Sequence, residues 1–327
     1  LDDQLIWWRA VHFAATIVLA GAVLFFALVA GPAFSKARKD ARLPARVGFV
    51  LRWLAWISLA VVVVSGLAWL IVLAQHLSDG TVTAVLLDGI VWIVLTKTGF
   101  GATWVVRFAL VVVIGACLPI TSERPNVVRR WAAAIAAACL VGALGFAGHA
   151  AAGAGVTGLI HLAADVAHLV AAAAWLGALL PLALLLHAAG QSPDQSSMTI
   201  ARRATQRFST LGVASVSTLV GTGIVNTWVL AGSVSALLDT DYGRLLLVKV
   251  ALFLIMVATA AVNRLVLTPR LLQEFDLKAG SAAVRRLRNN SLIETAIGVI
   301  ILVIVAVLGT LPPALHEEVA ATSAVAL

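Results

Sequence analysis

Leu5–Ala30, LIWWRAVHFAATIVLAGAVLFFALVA, carries one arginine and one histidine and no other ionisable side chain. As a helix rising 1.5 Å per residue it extends about 39 Å, more than the roughly 30 Å of a bilayer's hydrocarbon core. Leu159–Leu186, LIHLAADVAHLVAAAAWLGALLPLALLL, has the same character but holds His161, Asp165 and His168. Six further apolar runs, Phe49–Ala74, Gly101–Pro119, Trp131–Gly148, Phe208–Leu230, Leu245–Leu267 and Leu292–Leu311, complete the series. The sequence therefore predicts an all-α polytopic membrane protein with eight transmembrane helices. The alternating ten-residue segments of a β-barrel do not occur. Composition agrees: 61% of the 327 residues are hydrophobic and 12% are charged, against about 25% charged in soluble domains. Too few polar side chains remain to cover a soluble surface.

The basic residues set the orientation, because cytoplasmic loops carry the excess of lysine and arginine. Lys36, Arg38, Lys39, Arg42, Arg46 and Arg52 follow the first span, and Arg124, Arg129 and Arg130 the third. Arg202, Arg203 and Arg207 follow the fifth, and Arg264, Arg270, Lys278, Arg285, Arg286 and Arg288 the seventh. Only Arg9, Lys97, Arg107, Arg244 and Lys249 lie toward the other side. Both termini are therefore expected on the periplasmic side. The net charge of +8 reports this topology; a nucleic-acid partner would need basic and aromatic residues interleaved on a soluble surface. Cys117 and Cys139 fall inside spans, so no external disulfide framework is expected. The opening Leu-Asp-Asp-Gln lacks the basic region of a signal peptide, and Leu5–Ala30 reads as a true span.

An internal repeat runs through the chain. His12 precedes Gly21-Ala22 by nine residues, as His168 precedes Gly177-Ala178. Ser65-Gly66 and Trp69 in the second span answer Thr222-Gly223 and Trp228 in the sixth. Thr98-Gly99-Phe100-Gly101 stands ahead of Arg107 as Thr240-Asp241-Tyr242-Gly243 stands ahead of Lys249. The outer loops Val82–Asp88 and Val234–Asp239 also match, and Gly89–Lys97 is an insertion expected at the membrane interface. The expected organisation is two parallel four-helix repeats, 1–150 and 151–327, forming one membrane unit with sites where the halves meet.

Ionisable groups inside a span are costly, and each is a functional candidate. His161, Asp165 and His168 stand at i, i+4 and i+7, on one helical face. His12 and His168 lie at similar depths, roughly 10 and 13 Å below the outer surface by helix rise. His149 closes the fourth span. Imidazole with carboxylate suits divalent transition metals, copper(II) above all, and Asp165 can also orient a histidine from outside the ligand set. The candidate metal ligands are therefore His12, His149, His161, Asp165 and His168. Any one histidine alone reads as a structural hydrogen bonder; it is the three-member face with its repeat-related His12 that reads as a ligand site. Arg107 and Lys249, at equivalent positions, are expected to snorkel outward or to pair with Asp88, Asp165 or Asp239. Glu294 suggests a metal exit or proton path, and Asn226 a bond between helices. Cys117, Cys139 and Met256 read as packing residues.

Gly148-His149-Ala150-Ala151, His161–His168 and Ala174-Trp175-Leu176-Gly177 resemble the copper resistance D family of membrane proteins. So do Gly221–Trp228, Leu237–Lys249 and Asn263–Arg270; the likeness is best over residues 148–270. The resemblance implies a multi-pass protein of the bacterial inner membrane that moves copper into the cytoplasm. It further implies delivery by a small periplasmic copper carrier of the CopC type, and functional positions at His149, His161, Asp165, His168, Asn226, Tyr242, Arg244 and Lys249. The expected function is copper transport, not enzymatic catalysis, through an outer-half His/Asp site between the first, fourth and fifth spans. The alternative is a b-type haem protein of membrane electron transfer, with His12 and His168 as paired axial ligands.

Overall fold

The computed structural model describes residues 2–35, 42–78, 80–118, 126–147, 155–191, 194–273 and 277–312. These residues are helical with no strand among them. In chain order the helices are α1 (Asp3–Phe34), α2 (Leu43–Ser78), α3 (Val82–Leu87), α4 (Ile90–Lys97), α5 (Gly99–Cys117) and α6 (Val127–Gly142). Then come α7 (Gly155–Gln191), α8 (Gln195–Ala231), α9 (Val234–Asp239), α10 (Asp241–Gln273) and α11 (Leu277–Leu308). Two helices contain a π-helical turn, Phe26–Ala30 in α1 and Asn263–Leu267 in α10.

Seven helices among the described residues are long and apolar enough to cross a membrane: α1, α2, α5, α7, α8, α10 and α11. The fourth expected span, Trp131–Gly148, is met by α6, which has 16 residues. That is about 24 Å of helix, short of the hydrocarbon thickness. A 3-10 turn, Gly145–Ala147, follows it.

α1 and α7 form the centre. Two-thirds of the most apolar window of each (67%) is buried, against 11% for α10 and 22% for α8. α1 packs on α2, α6, α7 and α11, and α7 packs on α1, α8 and α11. The two central helices cross at Gly21 and Gly177, where a Cβ on either glycine would overlap the other helix's backbone. Small residues at such a crossing let backbones come into direct contact, which in lipid substitutes for the missing hydrophobic drive.

The loops 82–88 and 234–239 fold alike. α3 and α9 are six-residue helices, capped by Thr81 and Ser233. Thr98 Oγ1 then accepts from the Gly101 amide at 2.9 Å, and Thr240 Oγ1 from the Gly243 amide at 3.0 Å. Each cap satisfies an amide that the first turn leaves without an intrahelical partner. The Gly89–Lys97 insertion forms α4, which exposes Trp92 (69%) and Ile93 (55%).

Candidate functional site

Each of the two central helices carries one histidine to a hydroxyl on its neighbour, and the surroundings of the two differ. His12 of α1 is fully buried. Arg107 Nη2 of α5 donates to His12 Nε2, and Arg107 Nη1 donates to the Leu140 carbonyl of α6 at 3.0 Å. A guanidinium only donates, so Nε2 of His12 is the bare nitrogen and Nδ1 carries the proton. Nδ1 donates to Ser65 Oγ at 3.0 Å, and the serine passes its own hydrogen to the Val61 carbonyl at 2.6 Å. Trp69 and Trp104 close on the imidazole with ring centroids 5.6 and 5.2 Å away. The Arg107 carbon lies 5.2 Å from the Trp104 centroid, a cation–π contact. The gap between His12, Trp104, Arg107 and Leu140 is too small for a water molecule. Arg107 therefore neither snorkels nor meets an aspartate; it is buried on His12, with both imidazole nitrogens occupied.

His168 of α7 is half-buried. Its Nδ1 lies 2.9 Å from Thr222 Oγ1 of α8. Thr222 Oγ1 gives its hydrogen to the Thr218 carbonyl at 2.7 Å, so it accepts from His168. That places the proton of the neutral ring on Nδ1 and the lone pair on Nε2. A histidine held in this way is set to ligate a metal through Nε2. The Ser65 and Thr222 hydroxyls thus have a common physical reason, since each accepts an imidazole N–H. The glycines beside them differ: a Cβ on Gly66 would lie 2.7 Å from Trp104 Cζ3 and 3.2 Å from His12 Cε1, whereas one on Gly223 would meet His168 Cε1 at an ordinary contact of 3.9 Å.

Around His168 the polar groups gather on the α7–α8–α10 face. Asn226 Nδ2 donates to Asp165 Oδ1 at a long 3.4 Å. Asn226 Oδ1 is buried without a hydrogen-bond partner among the described residues. Half-buried Lys249 of α10 is within electrostatic range of Asp165 and His168, and buried Tyr242 is within range of Asp165. His161, 4% exposed, lies one turn along α7 and within range of Asp165. Arg244 stands apart: it forms an exposed ion pair with Asp241 at 3.8 Å and donates to the Leu238 carbonyl at 3.0 Å. Glu294 also stands apart, accepting from Asn263. His149 lies outside the described residues. Among the described residues, no three His, Cys, Asp or Glu side chains are close enough to hold a metal ion together. Cys117 and Cys139 are free, and Cys139 faces outward. Sequence reasoning missed Asn263 and Asn290, whose signal is an amide inside an apolar helix. It also missed Ser65 and Thr222 as histidine partners, although both mark the repeat.

Residues 202–308 match the family Copper resistance protein D, and residues 1–159 match the family Copper resistance protein D-like, N-terminal domain. The chain is 31% identical over 221 residues to copper resistance protein D of Pseudomonas syringae pv. tomato, covering 67% of this chain and 70% of that one. It is 34% identical over 224 residues to inner membrane protein YebZ of Escherichia coli, covering 68% and 72%. It is 30% identical over 221 residues to copper transport protein CutJ of Bacillus subtilis, covering 67% of this chain and 38% of the relative. No solved structure matches. With seven helices long and apolar enough to cross a membrane among the described residues, the chain is a multi-pass inner-membrane protein, and it belongs to the copper resistance protein D family.

Proposed function

We propose that this protein transports copper across the bacterial inner membrane, from periplasm to cytoplasm. The observation that carries the reading is the fixed tautomer of His168: Thr222 accepts the hydrogen bond of Nδ1–H, which leaves Nε2 with a bare lone pair on a ring that shares a helical face with Asp165 and His161. Copper is the cargo. It enters at His149 and His161 and is held by Asp165 and His168, with Asn226, Tyr242 and Lys249 around them. His12 is the first half's counterpart, and it reaches a metal only on releasing Arg107. Arg244 serves the outer loop.

The chain is organised as eight spans in two parallel four-helix repeats, 1–150 and 151–327, with α6 as the short eighth span and both termini periplasmic. Copper arrives from a periplasmic carrier of the CopC type and leaves by movement of one half against the other. The printed names of the Pseudomonas and Bacillus relatives, a copper resistance protein and a copper transport protein, support the choice of cargo. The haem reading is not favoured, since His12 Nε2 is already taken by a guanidinium. Copper uptake into proteoliposomes tests the proposal. Wild-type protein is expected to exceed empty vesicles and His168→Ala to fall to their level; wild-type flux equal to empty vesicles refutes transport.

A further inference from the structure

The inner half contains a second polar constellation, well separated from the histidines. Glu294 of α11 is 1% exposed. Its Oε1 accepts from Asn263 Nδ2 at 2.6 Å, and Asn263 Oδ1 accepts from Asn290 Nδ2 at 2.7 Å. Asn290 and Glu294 are one turn apart on α11 and so face α10 together. Asn263 opens the π-helical turn of α10, whose wider ring is held by Thr268 Oγ1 donating to the Asn263 carbonyl at 2.7 Å. Such turns inside α-helices occur mostly at functional sites.

The charge accounting is incomplete. The basic groups on the neighbouring elements are engaged elsewhere: Arg264 donates to Ser209, Arg207 to the Leu28 carbonyl, Arg202 to the Leu271 carbonyl, and Arg288 to Asn289 and toward His187. Arg270 shares one of those elements, Arg285 and Arg286 lie two turns back on α11, and Lys249 sits some 20 Å away along α10 by helix rise; no ion pair to Glu294 occurs among the described residues. An isolated carboxylate in an apolar interior is costly unless a cation neutralises it. The donors here are one carboxylate and two amides already bonded to each other, which is no cage for a metal. The smallest cation needs no cage.

We propose that Glu294 is a proton-binding site: the carboxyl group holds a proton in the membrane interior and exchanges it with the cytoplasmic side, while Asn263 and Asn290 fix its orientation. The exchange is a simple protonation, with one proton added to or lost from the free carboxyl oxygen. Arg288 is six residues back along α11, about 9 Å, so the path from the basic cytoplasmic end is short. This site is independent of whether copper is the cargo, and the test needs no copper.

The test is infrared spectroscopy of the full chain in lipid vesicles at neutral pH. Wild-type protein is expected to show the carbonyl stretch of a protonated carboxylic acid, shifted downward in D2O as the proton exchanges. Glu294→Gln is expected to lose that band while keeping the wild-type melting temperature, and Asn263→Ala to keep the band at a shifted frequency. A band of equal intensity in wild type and Glu294→Gln overturns the proposal, as does a Glu294 band that D2O leaves unmoved. If Glu294→Gln fails to fold, the Asn263→Ala frequency and the D2O shift still decide: no change in either overturns it.

Discussion

Replacing Thr222 by valine keeps the side chain's shape and removes one atom that His168 needs. The Thr222 hydroxyl hydrogen is committed to the Thr218 carbonyl at 2.7 Å, so its oxygen can only accept, 2.9 Å from His168 Nδ1. In Thr222→Val the Nδ1 proton loses its acceptor, and the ring is free to change tautomer or rotate. One net hydrogen bond of about 1 kcal/mol disappears from stability. Loss of such an orienting partner weakens metal affinity by about 10- to 100-fold, or roughly 1.4–2.8 kcal/mol. The effect on binding therefore exceeds the effect on folding. Equilibrium copper titration against a chromophoric chelator in detergent micelles, with a thermal melt beside it, separates the two. Thr222→Ser restores the acceptor and is expected to bind as wild type. Copper affinity unchanged in Thr222→Val, or equally weakened in Thr222→Ser, would refute the assignment of Nε2 as the ligand nitrogen.

Three further substitutions, with one control, test the surrounding architecture. Arg107→Met strips the donor from His12 Nε2 and the Leu140 carbonyl and is expected to cost about 1–3 kcal/mol in a thermal melt, with copper affinity at His168 unaltered; an unchanged melt would mean the guanidinium is not what secures His12. Gly177→Val drives a side chain into the α1 backbone and is expected to destabilise by about 1–3 kcal/mol. Gly221→Val, where a Cβ meets nothing within 4 Å, is the control, and equal melting of the two variants would count against backbone contact at the crossing. Arg9 Nη1 donates to the Gly309 carbonyl at 2.8 Å and its guanidinium carbon lies 5.4 Å from the Trp69 centroid. Arg9→Gln is expected to lose about 1–2 kcal/mol and to speed hydrogen exchange at the end of α11; unchanged exchange there contradicts the clasp.

Much of this arrangement is legible in the sequence because lipid permits so few solutions. The apolar runs coincide with α1, α2, α5, α7, α8, α10 and α11, since a backbone in hydrocarbon must satisfy its own hydrogen bonds. The Thr-x-x-Gly stretches at residues 98–101 and 240–243 form the same cap, a local event that needs no tertiary information. What the linear pattern does not carry is the choice of partner. Arg107 could be placed at the right depth but not on the right acceptor, because its neighbour His12 lies on a helix 95 residues earlier. The difference between a locked His12 and a half-exposed His168 depends on Trp69 and Trp104 closing on the first ring, with no such ring contact to His168 among the described residues. The π-helical turn at Asn263 was equally hidden, since its sequence reads as ordinary helix.

The direct contact of α1 and α7 at Gly21 and Gly177 has a mechanical corollary. Two backbones touching at one point resist sliding but still permit a scissor motion about the contact. His12 and His168 sit nine residues from it, a lever arm of about 13 Å, while the Leu28 carbonyl that Arg207 grips lies on the opposite arm. A change of about 10° in crossing angle would move the outer rings by roughly 2 Å and swing the inner arms in the opposite sense. The two ends of the helix pair are thereby coupled through the contact, with neither helix needing to unfold.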